Sequence, residues 1–252
     1  SANLIAPALA GFIIGSFTGL SGYLIVFSIA FLMFLAATVG SFRIKKESIR
    51  HRNYYMKYLG QIMERRKAFR NALAGWFIIG FPQGILMYIP PILIYSIFED
   101  ESVVGYLNAG FLAVSILARY VISRFANIEQ TKKYLWVAAI GFFVSGSFLT
   151  WEIAMWSVIL FMVTQNMFKP LQANAYAAYY FQWIDRIPLG SEFRVESVVL
   201  RETIINIGRG LGIVVFMLFS NEIDTNTVAY VIMLAMAIQF ILPIITKLKE
   251  DS

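Results

Sequence analysis

The segment FMVTQNMFKPLQANAYAAYY, residues 161–180, sets a lysine, Lys169, among apolar residues and amides. An ammonium in such a setting can do two kinds of chemistry: hold an anionic group, or pair with a carboxylate. A second cation of this type, Arg209, stands in RETIINIGRGLG, residues 201–212, where Glu202, Asn206 and Arg209 at i, i+4 and i+7 share one helix face. No comparable constellation exists for nucleophilic or metal chemistry. Cysteine is absent, the single histidine, His51, lies in a basic polar stretch, and no deep pair of carboxylates is visible. An enzyme is therefore not expected, nor is any cofactor or metal. A phosphate-cradling Gly-x-x-x-x-Gly-Lys-Ser/Thr loop is also missing, which argues against an ATP-driven step in this chain.

The elements that must position these residues follow from composition. Of the 252 residues 59% are hydrophobic and 14% charged, and the mean hydropathy is +0.68. Soluble domains average about 45–50% apolar and about 25% charged residues, so the expected solvent is lipid. A bilayer core about 30 Å thick needs roughly 20 apolar residues per helix. Runs of that kind occur at about 3–20, 22–41, 69–97, 102–125, 133–151, 153–183, 197–220 and 226–246. The fold class expected is thus all-α: a polytopic membrane protein of about eight transmembrane helices. Pro82, Pro90 and Pro91 predict a kink in the third. The hydrophobic start SANLIAPALAGFIIG suggests that residue 1 is not the natural beginning.

Orientation follows from the cations, which are retained on the cytoplasmic side. Residues 42–70 hold ten of the 21 Lys and Arg, and further cations flank alternate loops: Arg119, Arg124, Lys132 and Lys133, then Arg186, Arg194 and Arg201, then Lys247 and Lys249. The intervening loops, FEDES at 98–102, TWE at 150–152 and SNEID at 220–224, have no Lys or Arg. The pattern predicts an integral protein of the bacterial cell membrane with both ends cytoplasmic. Because these loops account for the +6 net charge, nucleic acid is not an expected partner. The 42–70 segment either lies along the anionic inner leaflet, with Tyr54, Tyr55 and Tyr58 at the interface, or is a solvated linker.

Only Lys169 and Arg209 escape explanation by a loop. Lys169 falls about 17 residues past Glu152 and about 14 before Trp183, too deep for its ammonium to snorkel easily to water. Gln165, Lys169, Gln172, Tyr176 and Tyr179 form one stripe, which must face protein or a wet cavity, since unpaired polar groups in lipid cost several kcal/mol each. Pro170 removes a backbone donor at the same level. Gly208 and Gly212 give the small-xxx-small spacing of close helix approach. Both cations are candidate site residues, and the structural alternative is a helix-to-helix ion pair or clamp. Glu202 would reach Arg209 through Asn206 or water, or pair elsewhere.

Eight spans with a long basic loop after the second resemble the last eight of the twelve helices of the major facilitator superfamily. The phrase VLRETIINIGRGLG is similar to the penultimate helix of poorly characterised Gram-positive members. The family's Gly-x-x-x-Asp-Arg-x-Gly signature falls on RYVISRFA, where Arg124 matches and Arg119, Ser123 and Ala126 depart from it; PALAGFIIG loosely resembles the antiporter Gly/Pro motif. The resemblance implies three regions: 1–41 as the last two helices of the N-terminal half, 42–68 as the basic cytoplasmic linker, and 69–252 as the six-helix C-terminal half. It also implies that the third and sixth spans line a central cavity, adding Asn71, Gln83, Tyr88 and Tyr95 to the polar wall. The function expected is the C-terminal portion of a secondary active transporter, moving a small solute by alternating access. A non-transporting membrane scaffold or sensor is the alternative. The expected substrate-binding set is Lys169, Gln165, Gln172, Tyr176, Gln83, Tyr88, Asn206 and Arg209, with Glu202 and Arg209 as a coupling or structural ion pair. Two deep cations favour a solute with an anionic group. Missing N-terminal helices or a second chain, together with membrane lipid, complete the expected partners, and this chain alone is not expected to transport.

Overall fold

The computed structural model describes residues 2–17, 19–43, 63, 67–87, 89–98, 100–186, 193–219 and 225–246. Its regular elements, among the described residues, are all helical: α1 (Ala2–Ser16), α2 (Ser21–Ser41), α3 (Lys67–Ile85), α4 (Ile89–Phe98), α5 (Glu101–Phe125), a 3₁₀ turn (Ile128–Gln130), α6 (Thr131–Trp151), α7 (Met155–Asp185), α8 (Arg194–Phe219), α9 (Thr225–Ile238) and α10 (Ile241–Ile245). Each apolar run read from the sequence is helical. The third run is divided between α3 and α4, and the last between α9 and α10. Among the described residues four stretches are long and apolar enough to cross a membrane: Ser21–Ser41, Ser102–Phe125, Thr131–Trp151 and Thr227–Ile245. The longer α7 and α8 carry the polar residues that set them apart. Of the basic 42–70 segment, only residues 42, 43, 63 and 67–70 are described, so the choice between inner-leaflet helix and linker lies outside the described residues.

By compactness the chain divides into two units, Ser1–Asn53 with Ile94–Ala113, and Tyr54–Leu93 with Val114–Ser252. This differs from the sequence-based division, which placed 94–113 with the C-terminal helices. The reason lies in small residues. A Cβ on Gly105 would stand 2.8 Å from both Gly11 Cα and Pro7 O, so α1 and the first half of α5 meet backbone to backbone. Gly22 approaches Ile14 Cα of α1 in the same way, at 2.8 Å for an added Cβ. Otherwise α2 is apolar at every register and exposed: Phe31, Met33 and Phe34 are all more than half accessible. A helix apolar all round and unburied by protein is suited to hydrocarbon.

The second unit is built on two tightly packed pairs, α3 with α8 and α6 with α7, with α9 laid against α6. Two G-x-x-x-G motifs interlock in the first pair. Gly80 and Gly84 of α3 press on the carbonyls of Ile205 and Arg209, while Gly208 and Gly212 of α8 press on those of Phe77 and Phe81. With no side chain at four successive contact points the backbones themselves touch, which strengthens dispersion and Cα–H···O contacts. Toward the other end of α3 the core is aromatic. Trp76 meets Tyr176 at 5.0 Å and 88° and Tyr180 at 5.9 Å and 86°, both edge to face. The Tyr176 hydroxyl donates to Ala72 O (2.9 Å) and the Tyr180 hydroxyl to Ser197 O (2.8 Å). These bonds satisfy the buried hydroxyls and tie α7 to α3 and α8.

Candidate functional site

A proline cannot donate to the carbonyl four residues before it, so an apolar span that continues through a proline is weakened one turn earlier, whether or not the helix breaks there. Three such levels coincide in space. Pro90 lies four residues after Leu86, Pro170 four after Asn166, and Pro243 four after Gln239, and Leu86, Asn166 and Gln239 all line one cavity of about 180 Å³. At two of these levels the helix breaks. α3 ends at Ile85, with Leu86 and Met87 in a turn, and α9 ends at Ile238, with Gln239 and Phe240 in a turn. At the second break the backbone compensates locally, with Leu242 N–H donating to Gln239 O (3.2 Å), while at the first Leu86 N–H still closes the last turn of α3 on Pro82 O (2.8 Å). α7 runs unbroken past Pro170, and Lys169 falls midway along it.

Polar and apolar residues share the cavity wall. Gln83, Gln165, Lys169 and Gln172 line it, four of the residues expected from the sequence. Gln172 Nε2 donates to Gln239 Oε1 (2.6 Å) and Gln165 Nε2 to Met236 Sδ (3.0 Å), bonds that join α7 to the α9 break. Lys169 is exposed and its ammonium has no hydrogen bond or ion pair among the described residues. Among the described residues Arg209 is held by neutral amides alone. Its Nε and Nη2 donate to Gln83 Oε1 (3.1 and 2.8 Å), and its Nη1 to Asn206 Oδ1 (3.2 Å). Gln83 thus stands between the guanidinium and the cavity.

Other sequence-based assignments fall elsewhere. Glu202 pairs with its neighbour Arg201, not with Arg209, from which about two turns of helix separate it. Tyr176 is fully buried in the aromatic core and does not line the cavity, because Gly75 leaves room for its ring against α3. Tyr179 is buried too, and Tyr95 is exposed. Asn206 is exposed and reaches the site only through Arg209. Asn71 meets the Tyr176 hydroxyl through its carbonyl at 3.5 Å, and Tyr88 lies outside the described residues. Sequence reasoning overlooked Gln239. A lone amide in the apolar run AMAIQFILP is the same signal that singled out Gln165, and it would have found this one.

Comparison with known proteins adds one relative. The uncharacterized protein YqgE of Bacillus subtilis (strain 168) is similar. It is 25% identical over 218 residues, covering 86% of this chain and 50% of its own length. The chain therefore spans about half the length of the curated relative it matches. No protein-family model matches, and no solved structure matches. YqgE carries no stated activity in its name, so the cavity must be interpreted from its own chemistry.

The Gln172–Gln239 bond is open to direct measurement. In a double-mutant cycle with Gln172→Leu and Gln239→Leu, the coupling is expected near 0.6 kcal/mol and at most about 1.7 kcal/mol, the range of interhelical hydrogen bonds in membranes. A coupling of zero in detergent-solubilised protein would mean that the two amides do not share this bond.

Proposed function

We propose that this chain forms one side of a secondary membrane transporter whose solute site is the Lys169 cavity. One observation carries the reading: two broken helices and a lysine with no partner among the described residues meet at one cavity of mixed polar and apolar lining, within an apolar, helical protein. Irregular backbone at membrane depth is tolerated where it lines a cavity, and discontinuous helices at the midplane are the usual material of transporter binding sites. On this reading the chain crosses the bilayer eight times, in the manner of the last eight helices of the major facilitator superfamily. The opposing wall comes from the rest of a longer protein or from a second chain, and the two sides rock about the site. The solute is small. Saturable uptake or counterflow by the full-length protein in proteoliposomes tests the proposal; proteoliposomes that equilibrate no solute faster than protein-free vesicles across a panel of metabolites would sink it.

Orientation is tested separately. The absence of native cysteine makes single-cysteine variants unambiguous. On this reading residues 42–70 lie in the cytoplasm, 99–101 outside and both chain ends in the cytoplasm, an orientation supported by the one-sided cations. A membrane-impermeant maleimide applied to whole cells is therefore expected to label Asp100→Cys and to spare Tyr55→Cys until the membrane is opened. The reverse pattern would invert the topology.

A further inference from the structure

Within the transporter reading, on which this step rests, the cavity chemistry narrows the solute. No Asp or Glu lines the cavity among the described residues. Among the described residues Lys169 has no counter-charge, and Arg209, bound by Gln83 and Asn206, has only neutral partners. A charged side chain at the bilayer centre costs at least about 2.5–3.5 kcal/mol unless hydrated or paired. Glu202, the acidic residue nearest in sequence to Arg209, is engaged with Arg201.

Gln83 adds direction to this charge. Arginine offers only donors, so the atom facing it must be the amide oxygen. With Oε1 committed to two guanidinium N–H groups, the amide plane is fixed and the Nε2 group is the end left for the cavity that Gln83 lines. That group has no partner among the described residues. Arg209 thereby acts as a positioning residue. It touches Gln83, and Gln83 presents two N–H donors to whatever the cavity holds.

We propose that the cavity binds the oxyanion group of its solute, a carboxylate or a phosphate, between the Lys169 ammonium and the Gln83 amide donors. Binding is measured by thermal stabilisation of the purified full-length protein in neutral detergent, with lactate and inorganic phosphate as the two oxyanion probes. Chloride and tetramethylammonium chloride at matched ionic strength are the references. At least one oxyanion is expected to raise the melting temperature above both references, and which one does so separates carboxylate from phosphate recognition. Lys169→Met and Gln83→Glu are each expected to weaken the apparent affinity by about tenfold or more, the loss of a charge-assisted hydrogen bond. Gln83→Glu still accepts from Arg209, so it keeps the clamp while turning the cavity face negative. Lys132→Met, at the exposed start of α6, is expected to leave the response unchanged. Lys169→Arg retains charge and is expected to retain measurable binding, which controls for folding. No stabilisation by either oxyanion, stabilisation by tetramethylammonium instead, or oxyanion stabilisation that survives in both Lys169→Met and Gln83→Glu would overturn the assignment. Proteoliposome flux of a neutral or cationic solute would leave the transport reading standing while this one fell.

Discussion

Gly212→Ala is expected to destabilise the folded protein by about 1–3 kcal/mol or more, whereas Gly210→Ala, two residues away on the same helix, is expected to be neutral or to stabilise it by about 0.5–1 kcal/mol. The difference lies in what each new methyl group meets. At Gly212 it runs into the Phe81 carbonyl of α3, while nothing lies within 4 Å of the same atom on Gly210. Backbone cannot swing aside as a side chain can, so α3 and α8 must separate along the seam. The same holds at Gly208, where an added Cβ would stand 2.6 Å from Phe77 O, and at Gly80 and Gly84. Gly84→Ala has a further consequence. Gly84 abuts the Arg209 carbonyl beside the Arg209–Gln83 bonds of 3.1 and 2.8 Å, so the site is expected to loosen together with the fold. Thermal unfolding in detergent, followed by tryptophan fluorescence, reads the comparison. Equal melting temperatures for the Gly210 and Gly212 variants would rule out a backbone seam at this crossing.

What was legible beforehand divides along a physical line. Hydrophobic run length and proline position are local properties, and from them came the helical runs and an irregularity in the third, expected as a kink at Pro82, Pro90 and Pro91; the break of the last run at Gln239 was not expected. The depth of Lys169 and the amide stripe are local too, and Gln165, Lys169 and Gln172 do share a wall. Convergence is different. Nothing local places Gln239 beside Gln172, 67 positions earlier, or Arg209 against Gln83, 126 positions earlier. Those pairings depend on which helices pack together, and the determinants are glycines whose spacing was visible on α8 but whose complement, Gly80 and Gly84, was not recognised. Tyr176 illustrates the opposite error. Its position on the polar stripe suggested a wet wall, but a tyrosine has an apolar ring, and one hydroxyl bond to Ala72 O was enough to bury it.

The coincidence of three proline-weakened levels bears on how such a site could move. A helix that breaks at Leu86 or Gln239 can bend there without dismantling a full ladder of hydrogen bonds, because the proline four residues on has already removed one. The interlocked α3–α8 seam lies immediately before the first break and cannot stretch in the same way. Rigid packing beside a flexible joint is the arrangement that lets one part of a bundle rock while another holds its shape.

Lys169→Met is expected to leave the protein folded, with a melting temperature at or slightly above that of the parent, and to lower proteoliposome flux at least about tenfold. The stability half follows from the absence of contacts to lose: the Lys169 side chain is exposed and its ammonium has no hydrogen bond or ion pair among the described residues, so an apolar side chain of similar length breaks none there. The transport half follows from Lys169 being the one cation that lines the cavity among the described residues. Removing one charge-assisted contact to a bound group forfeits about 1.5–3 kcal/mol, which corresponds to about tenfold or more in affinity. Lys169→Arg is expected to restore flux in part, since the charge returns but a planar fork replaces a compact ammonium in a cavity of about 180 Å³. The two halves must appear together. If Lys169→Met melts well below the parent, the lysine is a structural clamp; if it melts normally and transports normally, the cavity that Lys169 lines is not the solute path.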